Sequence, residues 1–325
     1  MSPVTALEKP ARIANSVLQT IGNTPLVQLK RLSALAGIEV YGKLEMANPG
    51  GSVKDRTSLS IIEEGIQQGL ITPQTTLVES SSGNMAIGLA QVCGYYHIPL
   101  IIVVDPKANT HTLRILKAYG VHIDKVTHPD PEGGFLGARL NRVQEILAET
   151  PGAIWTNQYG NQANPQTHFH TMEEIHRQLP GVDYVFSATS TCGTLMGCAN
   201  YIQQQQLQTK LVAVDACGSV IFGTKANKRL IPGHGAGLPS KFLDPDRVDQ
   251  VVHITDAECV SGCNKLLQTE SILAGGSSGA VLTAFLKLAP HMPKAASCVL
   301  ILCDRGERYL DTIYNPAWVA KNLGI

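Results

Sequence analysis

Short apolar runs of strand length, each followed by a helical pattern, recur along most of this 325-residue chain. Residues 76–79, 100–105, 121–126, 153–156, 184–188, 210–215 and 298–303 read as buried strands. Residues 85–96, 109–119, 134–149 and 194–205 read as helices between them. Consecutive parallel strands need a crossover, and a helix usually supplies it. The rhythm therefore predicts an α/β fold of mainly parallel sheets with helices on both faces. So many strands suggest two sheets in two lobes, for which the chain is long enough. The stretch from Asp215 to Pro245, rich in Gly and Pro, predicts a long functional loop.

Composition narrows the function classes. Basic and acidic side chains balance at 26 each, which leaves no charge excess for nucleic acid or an anionic membrane. Residues 1–16 lack a basic stretch followed by an apolar core, so no export signal is expected. Apolar runs such as 100–104 are far too short to cross a bilayer. A cytoplasmic protein is the expectation. Its eight cysteines are scattered without paired C-x-x-C motifs, which predicts reduced thiols. Cys259 and Cys263 lie one helical turn apart with no second pair, and read as helix residues rather than zinc ligands. His168 and His170 fall on different helix faces, so no metal site is expected there. PGHGAG, residues 232–237, follows a loop rather than a strand and lacks the spacing of a dinucleotide fingerprint.

The stretch NPGGSVKDR, residues 48–56, puts Lys54 at the mouth of a helix. A helix start disfavours a cation. Either this lysine is a solvated surface residue, or its amine is used covalently. Ser52 with Asp55 makes a plausible cap, and Leu59, Ile62, Ile66 and Leu70 offer an apolar stripe at helical spacing. The Gly50–Gly51 pair permits close backbone approach.

Three further polar loops open helices, and in open α/β sheets ligands bind beyond the carboxyl ends of strands. Ser190, Thr191, Cys192, Gly193 and Thr194 follow a strand and suit a phosphate dianion, although an ordinary capped turn has the same pattern. Ser81, Ser82, Gly83 and Asn84 also follow a strand, where free N–H groups suit an α-carboxylate. Ser277, in GGSSG, is either a helix cap or a hydroxyl facing a heteroaromatic nitrogen.

Together these pieces resemble the fold-type II pyridoxal phosphate enzymes of the cysteine synthase and cystathionine β-synthase family. The resemblance runs from IGNTPLVQL, residues 21–29, to DRGERYL, residues 304–310. It implies pyridoxal 5'-phosphate as cofactor, with Lys54 holding it as an imine and acting as the catalytic base. It further implies Asn84 at the ring oxygen, Ser190 to Thr194 around the phosphate and Ser277 at the ring nitrogen. A serine there, unlike a carboxylate, would not keep the ring protonated, which suits β-elimination better than transamination. The family implies a smaller, mobile substrate-side domain over residues 48–156. A larger cofactor-binding domain takes residues 12–47 and 157–325.

Two positions depart from cysteine synthases. Met85 stands where they carry threonine, and Ser190 where they carry glycine, which puts sulfide transfer in doubt. VVDPK (103–107), GGFLGAR (133–139), NQYGN (157–161) and DACGSVIFG (215–223) are similar to a specialised branch of the family. That branch joins O-phospho-L-serine to the amine of L-glutamate through an aminoacrylate and releases phosphate. Its product is a precursor of 2,3-diaminopropionate for siderophores and peptide antibiotics. A homodimer is also implied. For the substrates, Ser81, Ser82, Gly83, Met85, Arg139, Gln158, Tyr159 and Ser190 are the candidates. Arg139 is either a carboxylate or phosphate ligand or part of a solvated helix face with Arg142. The alternatives are a cysteine synthase using O-acetylserine or O-phosphoserine with sulfide, and a non-catalytic binding protein on the same scaffold.

Overall fold

The computed structural model describes residues 13–223 and 225–325. Residues 1–12, on which most of the expectation of no export signal rests, lie outside it. The first half runs β1 (Leu26–Gln28), α1 (Lys30–Ala36), β2 (Glu39–Leu44), α2 (Lys54–Gln67), β3 (Leu77–Ser80), α3 (Asn84–Tyr96), β4 (Leu100–Val104), α4 (Thr110–Ala118), β5 (His122–Lys125), α5 (Gly134–Glu149) and β6 (Ile154–Trp155). The second half runs α6 (Ala163–Gln178), β7 (Tyr184–Ala188), α7 (Gly193–Gln204), β8 (Lys210–Ala216), β9 (Gln250–Ile254), α8 (Asp256–Glu270), α9 (Gly276–Leu288), β10 (Ser297–Leu302) and α10 (Pro316–Leu323).

The strands form two sheets. The larger has the order β1-β2-β10-β7-β8-β9, and the smaller β5-β4-β3-β6. Every pairing is parallel except β1 with β2. Alternation along β10 shows why this sheet needs helices on both faces. Cys298, Leu300 and Leu302 pack with α1, α8 and α9, while Val299 and Ile301 pack with α6 and α7. In the smaller sheet Leu77, Ile102 and Val104 face α2, α3 and α4, whereas Val78 and Val103 face α5. The α/β fold read from the sequence is the fold observed.

One helical face differs from expectation. Ile66 and Leu70 are exposed, and the buried face of α2 is Asp55, Arg56, Thr57, Ser58, Ile61, Ile62 and Gly65. The helix ends at Gln67 and Gly69 takes φ +70°, so Leu70 is outside it. Polar partners at the N-terminal half, rather than an apolar stripe, set the helix's rotation. Arg56 donates Nε and Nη2 to Glu45 (2.7 and 2.9 Å) and Nη1 and Nη2 to Glu174 (2.7 Å each). Lys43 donates to Glu174 at 2.7 Å from the floor of β2. This buried cluster ties α2 of the smaller sheet's layer to β2 and α6.

The parallel strands aim their carboxyl ends at a common region. The turns after β2, β3, β7 and β10, which hold the sequence's polar loops or their partners, lie there. The PGHGAG segment is part of the long connection between β8 and β9, and no helix follows it directly.

Candidate active site

Lys54 is the first residue of α2, and the turn before it is held open by side-chain oxygens. Asp55 Oδ2 takes the Gly50 N–H at 2.5 Å, and Ser52 Oγ takes the Lys54 N–H at 3.2 Å. Gly51 has φ +86°, a conformation open to glycine without strain. The Val53 N–H bonds the Cys303 carbonyl at 2.8 Å, and Arg305 N–H bonds the Gly51 carbonyl at 3.2 Å. The lysine loop is thereby stitched to the end of β10. Burial lowers the pKa of Lys54, with the thiols of Cys303 and Cys192 acting weakly against it. Among the described residues no carboxylate pairs with its amine. Desolvation without a counter-charge favours the neutral, nucleophilic form.

On one side of that amine is the turn from Thr189 to Gly193. Cys192 has φ +66°, and α7 starts directly after it, so the loop presents helix-start N–H groups. Thr191 and Thr194 are buried there. Asn164 of α6 fixes the turn: its Nδ2 donates to Thr191 Oγ1 at 3.0 Å and to the Gln158 carbonyl at 2.7 Å. Its Oδ1 accepts from Thr57 at 3.3 Å. A Cβ on Gly193 would overlap this amide, so glycine is needed for the close approach.

On the other side are Asn84 and the segment after β10. Asn84 Nδ2 donates to Asp304 Oδ2 at 2.8 Å, and Arg308 donates to Asn84 Oδ1 and to the Gly50 carbonyl. Tyr309 donates its hydroxyl to Asp304 at 2.5 Å. Burial raises the pKa of Asp304, which Tyr309, Asn84 and Arg308 oppose. The same amide also hydrogen-bonds the Tyr309 hydroxyl, so Asn84, Asp304, Arg308 and Tyr309 form one polar network. Ser277 is buried in the first turn of α9 and hydrogen-bonds the Cys303 thiol. Ser81 is buried, with its Oγ accepting from the Gly83 N–H at 3.4 Å; Ser82 and Gly83 are partly exposed. The Met85 side chain turns away into the core, with its sulfur 3.5 Å from Ser58 Oγ.

Arg139 is not on a solvated face. Its side chain is 16% exposed, and Nε lies 3.3 Å from Asp105 Oδ2, which joins the 103–107 and 133–139 segments. Arg142, one turn on, makes the surface pairs, with Asp124, Glu145 and Glu149. Tyr159 is 37% exposed at the cleft. Its phenol pKa is raised by burial, lowered by a Ser190 hydrogen bond, and influenced by Glu79, Arg139 and Arg229. Gln158 is buried beneath it, with its backbone N–H on Glu79 at 3.2 Å. His168 is buried between Thr57 and Thr171, whereas His170 is exposed and pairs with Glu173. Cys259 and Cys263 pack in the core of α8.

Sequence reading gave no role to Glu79, Asn164, Asp304 or Arg308. Glu79 collects Thr156 Oγ1 at 2.6 Å, Ser80 N–H at 2.9 Å and Trp155 Nε1 at 3.4 Å at the end of β3. Burial raises its pKa against those bonds. Its one local signal is an acid ending an apolar strand. Asp304 carried a similar signal after β10, but the site residue it holds, Asn84, is 220 positions away, although Tyr309 is close by in sequence.

The sequence profile of the family described as pyridoxal-phosphate dependent enzyme matches residues 17–304. An N-(2-amino-2-carboxyethyl)-L-glutamate synthase of Ralstonia nicotianae is 46% identical over 311 residues, covering 95% of this chain and 92% of that protein. A protein of the same name from Cupriavidus metallidurans is 44% identical over 314 residues, again covering 95% and 92%. Among solved structures, an O-acetylserine dependent cystathionine beta-synthase from Helicobacter pylori has a TM-score of 0.85 at 31% identity, covering 94% of this chain and 100% of that one. An O-ureido-L-serine synthase has a TM-score of 0.86 at 30% identity, covering 95% and 100%.

Proposed function

The chain belongs to the pyridoxal-phosphate-dependent enzymes of fold type II, and we propose that it joins O-phospho-L-serine to the amine of L-glutamate. The products are N-(2-amino-2-carboxyethyl)-L-glutamate and phosphate. The cofactor is pyridoxal 5'-phosphate, and this chain's residues fit it. A desolvated amine without a carboxylate partner among the described residues suits its aldehyde. A helix start whose Gly193 tolerates no Cβ suits its phosphate. When bound, the chemistry it supplies is electron withdrawal from the substrate's Cα, which makes that hydrogen acidic and the β-substituent a leaving group.

Lys54 Nζ, neutral when freed, takes the Cα proton and later returns it. The hydroxyls of Ser190, Thr191 and Thr194, with the backbone of Cys192 and Gly193, hold the cofactor's phosphate. Asn84, kept in place by Asp304 and Arg308, orients the ring through its side-chain amide. Ser277 meets the ring nitrogen without supplying a charge. Ser81, Ser82 and Gly83 receive the donor's α-carboxylate by the backbone before α3, and Met85 contributes its N–H there. Arg139, Tyr159 and Ser190 receive the departing phosphate, and Gln158 lines the floor beneath them.

The observation that carries the choice of donor is Arg139. It is a mostly buried guanidinium in electrostatic reach of Tyr159, and it suits a dianionic leaving group better than a neutral ester. The 46% identical relative, which covers nearly the whole chain, supports the choice of glutamate as acceptor. The reading extends to a homodimer working in the cytoplasm on small amino-acid substrates; among the described residues no helix is long and apolar enough to cross a membrane. Incubation of cofactor-loaded enzyme with O-phosphoserine and glutamate should release phosphate and yield the amine-linked adduct by mass spectrometry. Turnover with sulfide alone, giving cysteine, would replace this reading with the cysteine synthase one.

A further inference from the structure

The long connection between β8 and β9 contains a second guanidinium near the cleft, from Arg229. Its segment is fastened to the phosphate-side turn: the Gly235 N–H bonds the Thr189 carbonyl at 2.7 Å, and Ser240 Oγ donates to the Thr191 carbonyl at 2.7 Å. Arg229 Nη1 donates to the His234 carbonyl at 2.9 Å, and the guanidinium lies against Gly235. That bond uses one end of the fork. Nε is shielded from solvent without a hydrogen-bond partner, and no carboxylate pairs with Arg229 among the described residues.

The edge left over, Nε with Nη2, is the one that takes a carboxylate side-on. This molecule shows the complete version at Arg56, where the same two nitrogens hold both oxygens of Glu45 at 2.7 and 2.9 Å. At Arg229 no acid takes that place among the described residues. The bonds of its segment to Thr189 and Thr191 set Arg229 beside the phosphate-side turn, and its charge, like that of Arg139, acts on the Tyr159 phenol. Both Nε atoms are buried without a hydrogen bond, but Arg139 has the Asp105 carboxylate at 3.3 Å, while Arg229 has no acid in ion-pair reach among the described residues.

Resting on the reaction proposed above, we propose that Arg229 is a specificity residue that receives the side-chain carboxylate of the incoming amine. Glutamate brings two carboxylates into a cleft whose helix-start groups are committed to the donor. The free edge of Arg229 supplies the matching donor pair, and an unpartnered buried donor becomes satisfied when the acceptor arrives. Glutamine, equal in size, offers one oxygen where the fork takes two.

The test uses cofactor-loaded wild type, Arg229→Gln and Arg229→Lys, with rates of phosphate release over both substrates and calorimetric binding of the product. The expected result for Arg229→Gln is a rise in KM for glutamate of roughly 20- to 100-fold, the size of a lost charge-assisted contact. KM for O-phosphoserine should change less than twofold. The preference for glutamate over glutamine should collapse, and product Kd should rise with the glutamate KM. Arg229→Lys, keeping the charge but not the fork, should fall between. An unaltered glutamate KM, or an equal rise for both substrates, would overturn the assignment while leaving the reaction standing. Wild type inert toward glutamate would overturn the reaction and this assignment with it.

Discussion

Lys54 starts a helix, is desolvated, and among the described residues has no acid beside it. Each condition acts against an ammonium, so as a structural residue it is a liability. Replacing it by alanine should therefore not lower the melting temperature of the cofactor-free protein. In the same variant the visible absorbance of the cofactor-loaded enzyme should vanish and turnover should fall by about 10³-fold or more. Absorbance spectra, circular dichroism and phosphate release check this together, and retained turnover would remove Lys54 as the base. The residue was legible because its loop and helix start are contiguous in sequence. Asn84 was legible for the same reason. The groups that orient Asn84 were not, since Asp304 and Arg308 reach it from 220 and 224 positions away. Nothing local distinguishes an acid that will hold a site amide from one on the surface.

At the scale of elements, strands and helices flanked by loops with clear turn chemistry were read within a residue or two, as with β7 and α5. β1, β2 and β9 were not. β1 has three residues, and β2 carries Lys43, a charge that argues against a buried strand until Glu174 is placed opposite it. The apolar stripe expected on α2 holds at Leu59 and Ile62 but not at Ile66 and Leu70, because the N-terminal half of the helix turns Arg56 toward Glu45 and Glu174. Burial raises the carboxyl of Glu174, but hydrogen bonds and charges from Arg56 and Lys43 outweigh it and hold its pKa down at about 2. A folded-state value below the ordinary 4.5 means stability present above pH 4.5 and lost as pH falls toward 2. The size is about 3 kcal/mol. Asp55 acts oppositely: burial pushes it up to about 6, so its contribution declines as pH rises through 6. A comparison of variants isolates Glu174. Glu174→Gln should be destabilised by about 3–5 kcal/mol at pH 7, because it leaves Arg56 and Lys43 short of an anion. Its urea-unfolding stability should then fall less than that of wild type between pH 5 and 3. A parallel decline in both proteins would mean that the cluster does not titrate with folding.

Across the whole molecule, the proposed division at residues 48–156 follows the smaller sheet, and what matters for function is how that body meets the rest. Beside the cleft the meeting is polar: Asn84 with Asp304, Arg308 with Asn84 and the Gly50 carbonyl, and Asn109 Nδ2 with the Arg308 carbonyl at 2.9 Å. Hydrogen bonds of this kind can be exchanged one for another at little net cost, whereas an apolar seam must be torn open. Away from the cleft, the buried Arg56 cluster holds α2 to β2 and α6 and provides a fixed end. A body fixed at one end and hydrogen-bonded at the other is suited to closing over a substrate. Asn109 offers a place to detect this, because it caps α4 through the His111 and Thr112 N–H groups, at 2.8 and 3.3 Å, while its amide reaches across to Arg308. On addition of O-phosphoserine, amide exchange should slow at residues 81–85, where the carboxylate is proposed to bind, and also at 109–113. Asn109→Ala should abolish the second effect and spare the first. Slowing confined to 81–85 in wild type would mean that the substrate is bound by a cleft that does not move, because only a change at the cross-cleft contact can carry protection to the start of α4.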